Sequence, residues 1–292
     1  KDIKTYGDLQ KQWVYLADVA QRRHEENSAG KGRNLKIGND HQLVEYIEHK
    51  IKNEKWSPAA VLGDLEQKGW PFAVRICVKT LYNYIDRDLF LGISNKDLLQ
   101  KKKGKKQAVR KVRKVAWNNR AGKSIEERPE RVNQRKEFGH WEIDLVVGRQ
   151  GSKPVILTLV ERQTRKSIYV LVKNKTQKEV LQAVRRAHRR VKGDFTQVFK
   201  SITADNGSEF LDSKGLQKAA KCDEVYYAHP FSSWERGSNE NGNRILRRFL
   251  PKGTDFSTLK PRDLKRIEDW VNNYPRKIFG YKTANDMYAA AA

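Results

Sequence analysis

The stretch HWEIDLVV, His140–Val147, decides the fold, because it places acids inside an otherwise apolar run of strand-forming residues. Tryptophan, isoleucine and valine favour strands, and this run predicts a buried one. An unpaired carboxylate in such a strand costs on the order of several kcal/mol, so Asp144 needs a partner that offsets this cost. That partner is either one of the chain's many arginines and lysines or a metal ion.

The elements that follow this strand have a recognisable order. Two further strands come next after short turns, which favours antiparallel pairing of all three. A capping box at Thr176 then opens a helix, and a strand, a short helix, a strand and a long helix follow. This is the order of the ribonuclease-H-like fold, so we predict an α/β core with a mixed five-stranded sheet and flanking helices. The predicted strands are 140–148, 154–163, 167–172, 197–204 and 225–228. The two predicted helices after the first are 213–220 and about 233–249.

Two further acids complete a candidate metal site. Asp205 ends the fourth strand, which neighbours the first in this fold, and Glu240 lies on the long helix. Hard cations such as Mg²⁺ prefer a few carboxylate oxygens, and two such ions clamp the attacking and leaving oxygens of a phosphodiester. The blander alternatives are that Asp205-Asn206-Gly207 is an ordinary turn and that Glu240 is a surface acid. We predict Asp144, Asp205 and Glu240 as metal-binding catalytic residues.

The charge of the chain indicates its partner. Among 292 residues, 60 lysines and arginines face 35 acids, which gives a formal net charge of +25 and points to a polyanion such as DNA. No apolar run approaches the roughly 18 residues that span a bilayer, and the polar start is not a signal peptide. The two cysteines give no disulfide framework and fit a reducing compartment. We therefore expect a cytoplasmic, nucleoid-associated protein that binds double-stranded DNA and no membrane.

Residues 1–100 are predicted to form an all-helical DNA-binding domain. Trp13, Leu16 and Ala20 recur at helical spacing, and Ser57-Pro58 is a helix start with a capping serine. The helix after it and an amphipathic stretch at 78–89 match a helix-turn-helix plan, although the connection between them is longer than a minimal turn. A plain three-helix core explains the same apolar pattern.

Residues 101–136 are predicted to be a basic linker. Positions 101–120 hold ten lysines or arginines and no acid, which fits either a solvated tether or an arm that follows DNA phosphates. Arginines near Glu240 on its helix suit a phosphate backbone, or else form surface salt bridges. The predicted nucleic-acid-binding residues are Lys101, Lys102, Lys103, Lys105, Lys106, Arg110, Lys111, Arg113, Lys114, Arg236, Asn239, Arg244, Arg247 and Arg248. Three residues are predicted to hold the metal ligands in position without binding the metal themselves: Glu142, Asn206 and His229.

Five segments of the core together resemble the bacterial insertion-sequence transposases of the family numbered thirty, which are DDE enzymes related to retroviral integrases. These segments are HWEIDL (140–145), LVERQTR (159–165), ITADNGSEF (202–210), HPFSSWERGSNEN (229–241) and FLPKGT (249–254). The segment Trp56-Ser57-Pro58 and the stretch 80–85 are similar to the second helix-turn-helix of that family. The resemblance covers roughly residues 137–288.

The resemblance implies a core at 137–250 in which Asp144, Asp205 and Glu240 hold two Mg²⁺ ions, with Mn²⁺ as an alternative. It implies cleavage at transposon ends, strand transfer by the freed 3′-hydroxyl, a circular intermediate, and a first helix-turn-helix upstream of Lys1.

Residues 251–292 are predicted to be a helix and tail on the core. A dimer or larger homo-oligomer is expected, because two ends must be joined. A structure-specific nuclease and a non-catalytic DNA-binding regulator are the alternatives.

Overall fold

The stretch that begins the core is the central strand of a six-stranded mixed sheet. The computed structural model of the chain describes residues 2–5, 11–29, 35–38, 40–98, 122–191, 198–229 and 233–291. The sheet has the strand order β3-β8-β7-β4-β5-β6. Its strands are β3 (Lys123–Ser124), β4 (His140–Val147), β5 (Val155–Glu161), β6 (Ser167–Val172), β7 (Ser201–Ala204) and β8 (Glu224–Tyr227).

The pairing of β4 brings two distant parts of the chain together. On one side β4 runs antiparallel to β5, with Asp144 opposite Thr158. On the other side it runs parallel to β7, and this pairing ends where Glu142 meets Thr203. The prediction that the first and fourth strands of the core are neighbours is therefore confirmed. Because parallel strands end at the same edge, the residues that follow the β4–β7 pairing share one rim of the sheet.

The sheet has one strand more than the five predicted. The additional strand, β3, is only two residues long and pairs in parallel with β8 through Lys123 and Ser124. A two-residue strand leaves no hydrophobic periodicity to recognise, so it was not predictable from the pattern. The mixed character of the sheet, the antiparallel pairing of β4, β5 and β6 and the pairing of β4 with β7 are as predicted.

Helices cover both faces of the sheet, which explains why every residue of β5 is buried. Alternate strand residues such as Leu157 pack with α6 and α7, and the others, such as Ile156, pack with α8 and α9. Thr176 caps α6 by accepting from the N–H of Glu179, as predicted. The helices of the core are α5 (Glu130–Asn133), α6 (Gln177–Arg190), α7 (Ser213–Ala220), α8 (Gly237–Leu246), α9 (Pro261–Asn273) and α10 (Ala284–Ala291).

The N-terminal part is mainly but not entirely helical. Helices α2, α3 and α4 share one apolar core that includes Leu43, Leu65 and Leu81. The prediction of helix throughout the first segment is wrong at residues 2–5 and 11–14, where two strands pair antiparallel. An aromatic residue and a β-branched residue in the second strand suit an extended chain, and the helix begins only at Ala17. The elements are β1 (Asp2–Thr5), β2 (Lys11–Val14), α1 (Ala17–Ala29), α2 (His41–Lys52), α3 (Pro58–Gln67) and α4 (Val78–Asp86).

Helices α2, α3 and α4 with the segments between them, hereafter the helical part, pack directly against the end of α9. Trp270 donates its indole N–H to the carbonyl of Glu54 at 2.8 Å, and the Tyr274 hydroxyl lies 3.0 Å from that of Ser57. Ser57 also caps α3 by accepting from the Ala60 N–H, as its sequence position predicted. The predicted tail contains a further helix, α10. Over the described ranges, no helix combines the length and apolar character needed to cross a bilayer.

Candidate active site

Asp144 lies in β4 just beyond the last residue that pairs with β7. Its Oδ2 accepts a hydrogen bond from Nδ2 of Asn243 at 2.7 Å, and its Oδ1 is 3.2 Å from Nη1 of Arg236. The Thr158 hydroxyl, opposite on β5, donates to the Asn243 amide oxygen, which turns the amide N–H toward the carboxylate. The carboxylate is therefore held by one hydrogen bond from Asn243 and by one ion pair with Arg236.

Asp205 is the first residue after β7, at the same rim of the sheet. Its Oδ1 accepts the backbone N–H of Gly207 at 3.0 Å, which shapes the turn that its sequence predicted. Its Oδ2 lies 3.4 Å from Nη2 of Arg236. The next residue, Asn206, donates from Nδ2 to the carbonyl of Ala228 at 2.6 Å and so ties this turn to the end of β8.

Arg236 joins the two aspartates through one guanidinium group. It is the last residue of a short 3₁₀ turn, Ser233–Arg236, and immediately precedes α8. Only 12% of its side chain is exposed. This residue was predicted to contact DNA, but here its charge is directed at Asp144 and Asp205. A contact between Arg236 and a phosphate requires the guanidinium to leave at least one of them.

The electrostatics at this rim favour a cation. Burial raises the pKa of Asp144 above its ordinary value, the positive charge of Arg236 lowers it, and the negative charge of Asp205 raises it again. Two carboxylates at one partly buried rim repel each other unless a positive charge lies between them. The carboxylate oxygens of Asp144 and Asp205 therefore suit a hard cation, because they already share the positive charge of one guanidinium.

Glu240 lies in the first turn of α8 and is exposed. It lines a cavity of about 750 Å³ whose wall also includes Asp144 and Arg236. Within the part of the chain that the structure describes, however, no three acidic, histidine or cysteine side chains are close enough together to hold a metal ion. The arrangement thus places two aspartates together and the third predicted acid on the rim of the same cavity, and Glu240 must approach them to complete a three-acid site.

Glu142 lies behind the cavity and not on its wall. It is fully buried, with one oxygen 2.5 Å from Nη1 of Arg162 and the other accepting the backbone N–H of Asn239 at 2.9 Å. It therefore does not line the cavity. It joins β4 to the start of α8, so it supports the distance between Asp144 on the strand and Glu240 on the helix.

His229 lies at the end of β8 and contacts acids other than the three predicted ligands. Its Nδ1 is 2.8 Å from Glu235 and its Nε2 is 3.2 Å from Glu126. The hydrogen bond with Glu235 raises the pKa of this histidine. These contacts fix the backbone just before the turn that carries Arg236. His229 therefore supports the position of that backbone and does not contact the predicted metal ligands.

The residues of α8 predicted to contact DNA separate into three environments. Arg244 is exposed on the cavity wall, and Arg247 lies on the same wall while donating to the Val147 carbonyl at 2.7 Å. Arg248 faces away from the cavity, with its guanidinium over the rings of Trp270 and Tyr274. Asn239 is only 1% exposed, so its side chain is not on the surface. The predicted contacts from Lys101 to Lys114 lie outside the described residues.

Sequence reasoning missed Asn243 and Lys252, which both line this cavity. A signal for Asn243 was present, because it is three residues after Glu240 and therefore on the same helical face. Lys252 follows the helix in an irregular segment, where no spacing rule connects it with Glu240. Only the fold brings it to the cavity.

The sequence of this chain is similar to one family model and to several known proteins. Residues 134–230 match the family model described as Integrase core domain, a span that includes Asp144 and Asp205 and ends before Glu240. A transposase for the insertion sequence element IS4351 of Bacteroides fragilis is 32% identical over 280 residues, which cover 94% of this chain and 80% of that protein. Transposase InsI for IS30A of Escherichia coli is 31% identical over 245 residues, 80% of this chain and 61% of that protein. The chain belongs to the IS30-family transposases.

Another member of this group of relatives is a probable transposase for the insertion-like element IS1161 of Streptococcus salivarius. It is 42% identical over 217 residues, which make up 74% of this chain and 59% of that protein. The chain thus spans about three fifths of the length of two of these three relatives. The IS30-family membership agrees with the ribonuclease-H-like core seen here, and integrase cores generally depend on divalent metal ions.

Proposed function

We propose that this chain catalyses metal-dependent cleavage of DNA at transposon ends and transfer of the freed 3′-hydroxyl into another DNA strand. The observation that carries the proposal is the shared rim of the sheet, where Asp144 and Asp205 both lie within 3.4 Å of one guanidinium. Membership of the IS30 family and an integrase core support the same chemistry.

In this proposal Asp144, Asp205 and Glu240 hold two Mg²⁺ ions, and Mn²⁺ serves as an alternative. When bound, such ions activate the attacking oxygen and stabilise the leaving 3′-oxygen of a phosphodiester. The protein's own part is to place the ligands. Asn243 orients the Asp144 carboxylate through its amide N–H, and the Gly207 N–H orients that of Asp205.

The cations of the cavity wall hold the DNA backbone beside these acids. Arg244, Arg247 and Lys252 line the same cavity as Asp144 and Glu240. A phosphate at this wall lies between cations on α8 and the carboxylates at the rim, which fixes the scissile bond relative to the ligands. The net charge of +25 supports binding to a long polyanion rather than to a small substrate.

The proposed substrates are double-stranded transposon ends, with their terminal inverted repeats, and target DNA. A dimer or larger homo-oligomer follows from the chemistry, because the two ends must be brought to one target. The helical part, with α3 and α4 in a helix-turn-helix-like order, is proposed to bind DNA alongside the core.

The experiment measures nicking and strand transfer on a labelled transposon-end duplex, with Mg²⁺ and with EDTA. Asp205→Asn removes the charge at nearly constant volume, and it is expected to abolish both reactions while DNA binding stays within a few-fold of wild type. Asp269→Asn, on the exposed face of α9, is the matched control and is expected to retain both activities. Normal nicking by Asp205→Asn contradicts the proposal. Cleavage without joining of pre-cut ends favours the nuclease alternative.

A further inference from the structure

A second cleft, of about 370 Å³, lies between the helical part and the core, next to the cavity of the aspartates. Its walls come from the start of α3, from α8 and from the segment that follows α9. None of the described residues that line it is acidic. The cations that line it are Arg244, Arg247, Arg248, Arg276 and Lys277.

Two of these arginines have buried donors that lack an acceptor. Arg276 is only 7% exposed, and while its Nη2 donates to the Val271 carbonyl, its Nε has no hydrogen-bond partner. Nη1 of Arg248 is likewise buried without one. A buried charged donor left unsatisfied is costly, and most such groups in proteins find a partner. The cleft therefore has a surplus of donors and an unmet need for oxygen acceptors.

The first turn of α3 adds a further anion-favouring element. Ser57, Ala59 and Ala60 line the cleft at the N-terminus of this ten-residue helix. The Ala60 N–H is already bonded to Ser57, so what this terminus offers is the positive end of the helix dipole, which favours negatively charged oxygens. The Ser57 and Tyr274 hydroxyls, 3.0 Å apart, connect this terminus to the opposite wall.

The cleft adjoins the cavity of the aspartates. Asn241, Arg244 and Arg247 line both spaces, so one face of α8 serves as their common wall. Arg244 and Arg248 are four residues apart, about 6 Å along the helix axis. A DNA strand with its scissile phosphate at the aspartates therefore passes into the cleft within a few nucleotides.

We infer that this cleft binds the phosphates of the DNA strand next to the cleavage site, and that the helical part and the core hold them jointly. The inference rests on the proposed function for the identity of the nucleic acid. The two walls have a fixed relationship, because the Tyr281 ring packs directly on Gly63 of α3 and Trp270 bonds to Glu54. The cleft is thus preformed, because these contacts hold its two walls together.

Lys277 is the variant position of choice, because it is exposed and its replacement leaves the apolar contacts intact. The measurement is the affinity of the whole chain for a random-sequence DNA duplex in EDTA across a salt series. Lys277→Gln is expected to lower the slope of log affinity against log salt by about 0.9, the value of one lost phosphate contact. Lys277→Arg is expected to keep the wild-type slope.

Lys218→Gln provides the control, because it removes the same charge from the exposed side of α7, across the sheet from α8. It is expected to leave the slope unchanged. A wild-type slope for Lys277→Gln, or an equal loss for Lys218→Gln, overturns the inference. In either case nicking of transposon-end DNA by the wild-type protein with Mg²⁺ still supports the proposed function, so the two failures are distinguishable.

A crosslinking experiment locates the contact along the strand. Lys277→Cys in a Cys77→Ser background is combined with transposon-end duplexes that carry an activated disulfide tether on one backbone phosphate at a time, so that the cysteine thiolate forms the crosslink by displacing the leaving thiol of the tether. Disulfide formation is expected only for phosphates within a few nucleotides of the cleavage site. Equal crosslinking at all tether positions overturns the inference that this cleft follows the catalytic cavity.

Discussion

Nη1 of Arg236 lies 3.2 Å from Oδ1 of Asp144, and Nη2 of the same guanidinium lies 3.4 Å from Asp205. One arginine thus supplies positive charge at the place where two acids would hold a metal ion. In the proposed site, metal binding and the arginine contact would compete for the same oxygens. We therefore expect Arg236 to influence how readily the site accepts a cation.

Arg236→Gln is expected to weaken the metal-free protein and to strengthen its response to metal. Without the guanidinium, the aspartates repel each other, which lowers the free energy of unfolding by about 1–2 kcal/mol for a partly buried pair. Added Ca²⁺ then raises the melting temperature more than it does for wild type. Thermal unfolding with and without Ca²⁺ measures both effects, and a smaller Ca²⁺ response of the variant contradicts the competition.

Glu142→Ala is expected to be strongly destabilising, because it leaves the buried charge of Arg162 without its carboxylate and the Asn239 N–H at the start of α8 without its acceptor. The expected loss in the free energy of unfolding is about 3–5 kcal/mol. The double variant Glu142→Ala/Arg162→Met removes both charges and is expected to recover a large part of that loss. Chemical denaturation of the two single variants and the double variant measures the coupling. Additive losses would show that the pair does not act as a unit.

Arg236 and Glu142 illustrate what could and could not be predicted from the sequence. The order of strands and helices, and the meeting of Asp144 with Asp205, follow from the pattern, because parallel neighbours end at the same edge. The pattern does not show that Glu142 is buried against Arg162, or that Arg236 joins the aspartates. Those depend on side-chain directions across elements far apart in sequence, about which periodicity carries no information.

The pH dependence of stability is expected to include a contribution from His140. Burial lowers the pKa of this histidine, although Glu137 opposes the shift, so the folded state binds its proton less readily than the unfolded state. The free energy of unfolding is therefore expected to fall as the pH drops below about 6.5 toward the depressed pKa. Denaturation of wild type and His140→Asn at several pH values tests this.

His140→Asn is expected to lose less stability over the same pH range, because asparagine has no titrating group and still reaches the Ser201 hydroxyl. The contribution of His188, whose pKa burial also lowers, is common to both proteins and cancels in the difference. An equal or larger acid sensitivity in His140→Asn would assign the effect elsewhere.

The contact between Gly63 and Tyr281 is expected to tolerate no side chain. A Cβ at Gly63 would lie 2.1 Å from the tyrosine ring, so Gly63→Ala must displace the segment after α9. The expected cost is about 1–3 kcal/mol, with faster proteolysis of the C-terminal segment. Tyr281→Ala removes the obstacle, so Gly63→Ala in that background is expected to cost much less. Equal costs in the two backgrounds would rule out the contact as the cause.

The proposed function requires that Asp144, Asp205 and Glu240 gather around divalent metal, although Glu240 lies only on the rim of their common cavity. Electron paramagnetic resonance of Mn²⁺ binding to the whole chain, for wild type and for Glu240→Gln, tests this requirement. We predict that wild type binds two ions and that Glu240→Gln binds fewer or binds them at least tenfold more weakly. Identical Mn²⁺ binding by wild type and Glu240→Gln would contradict it.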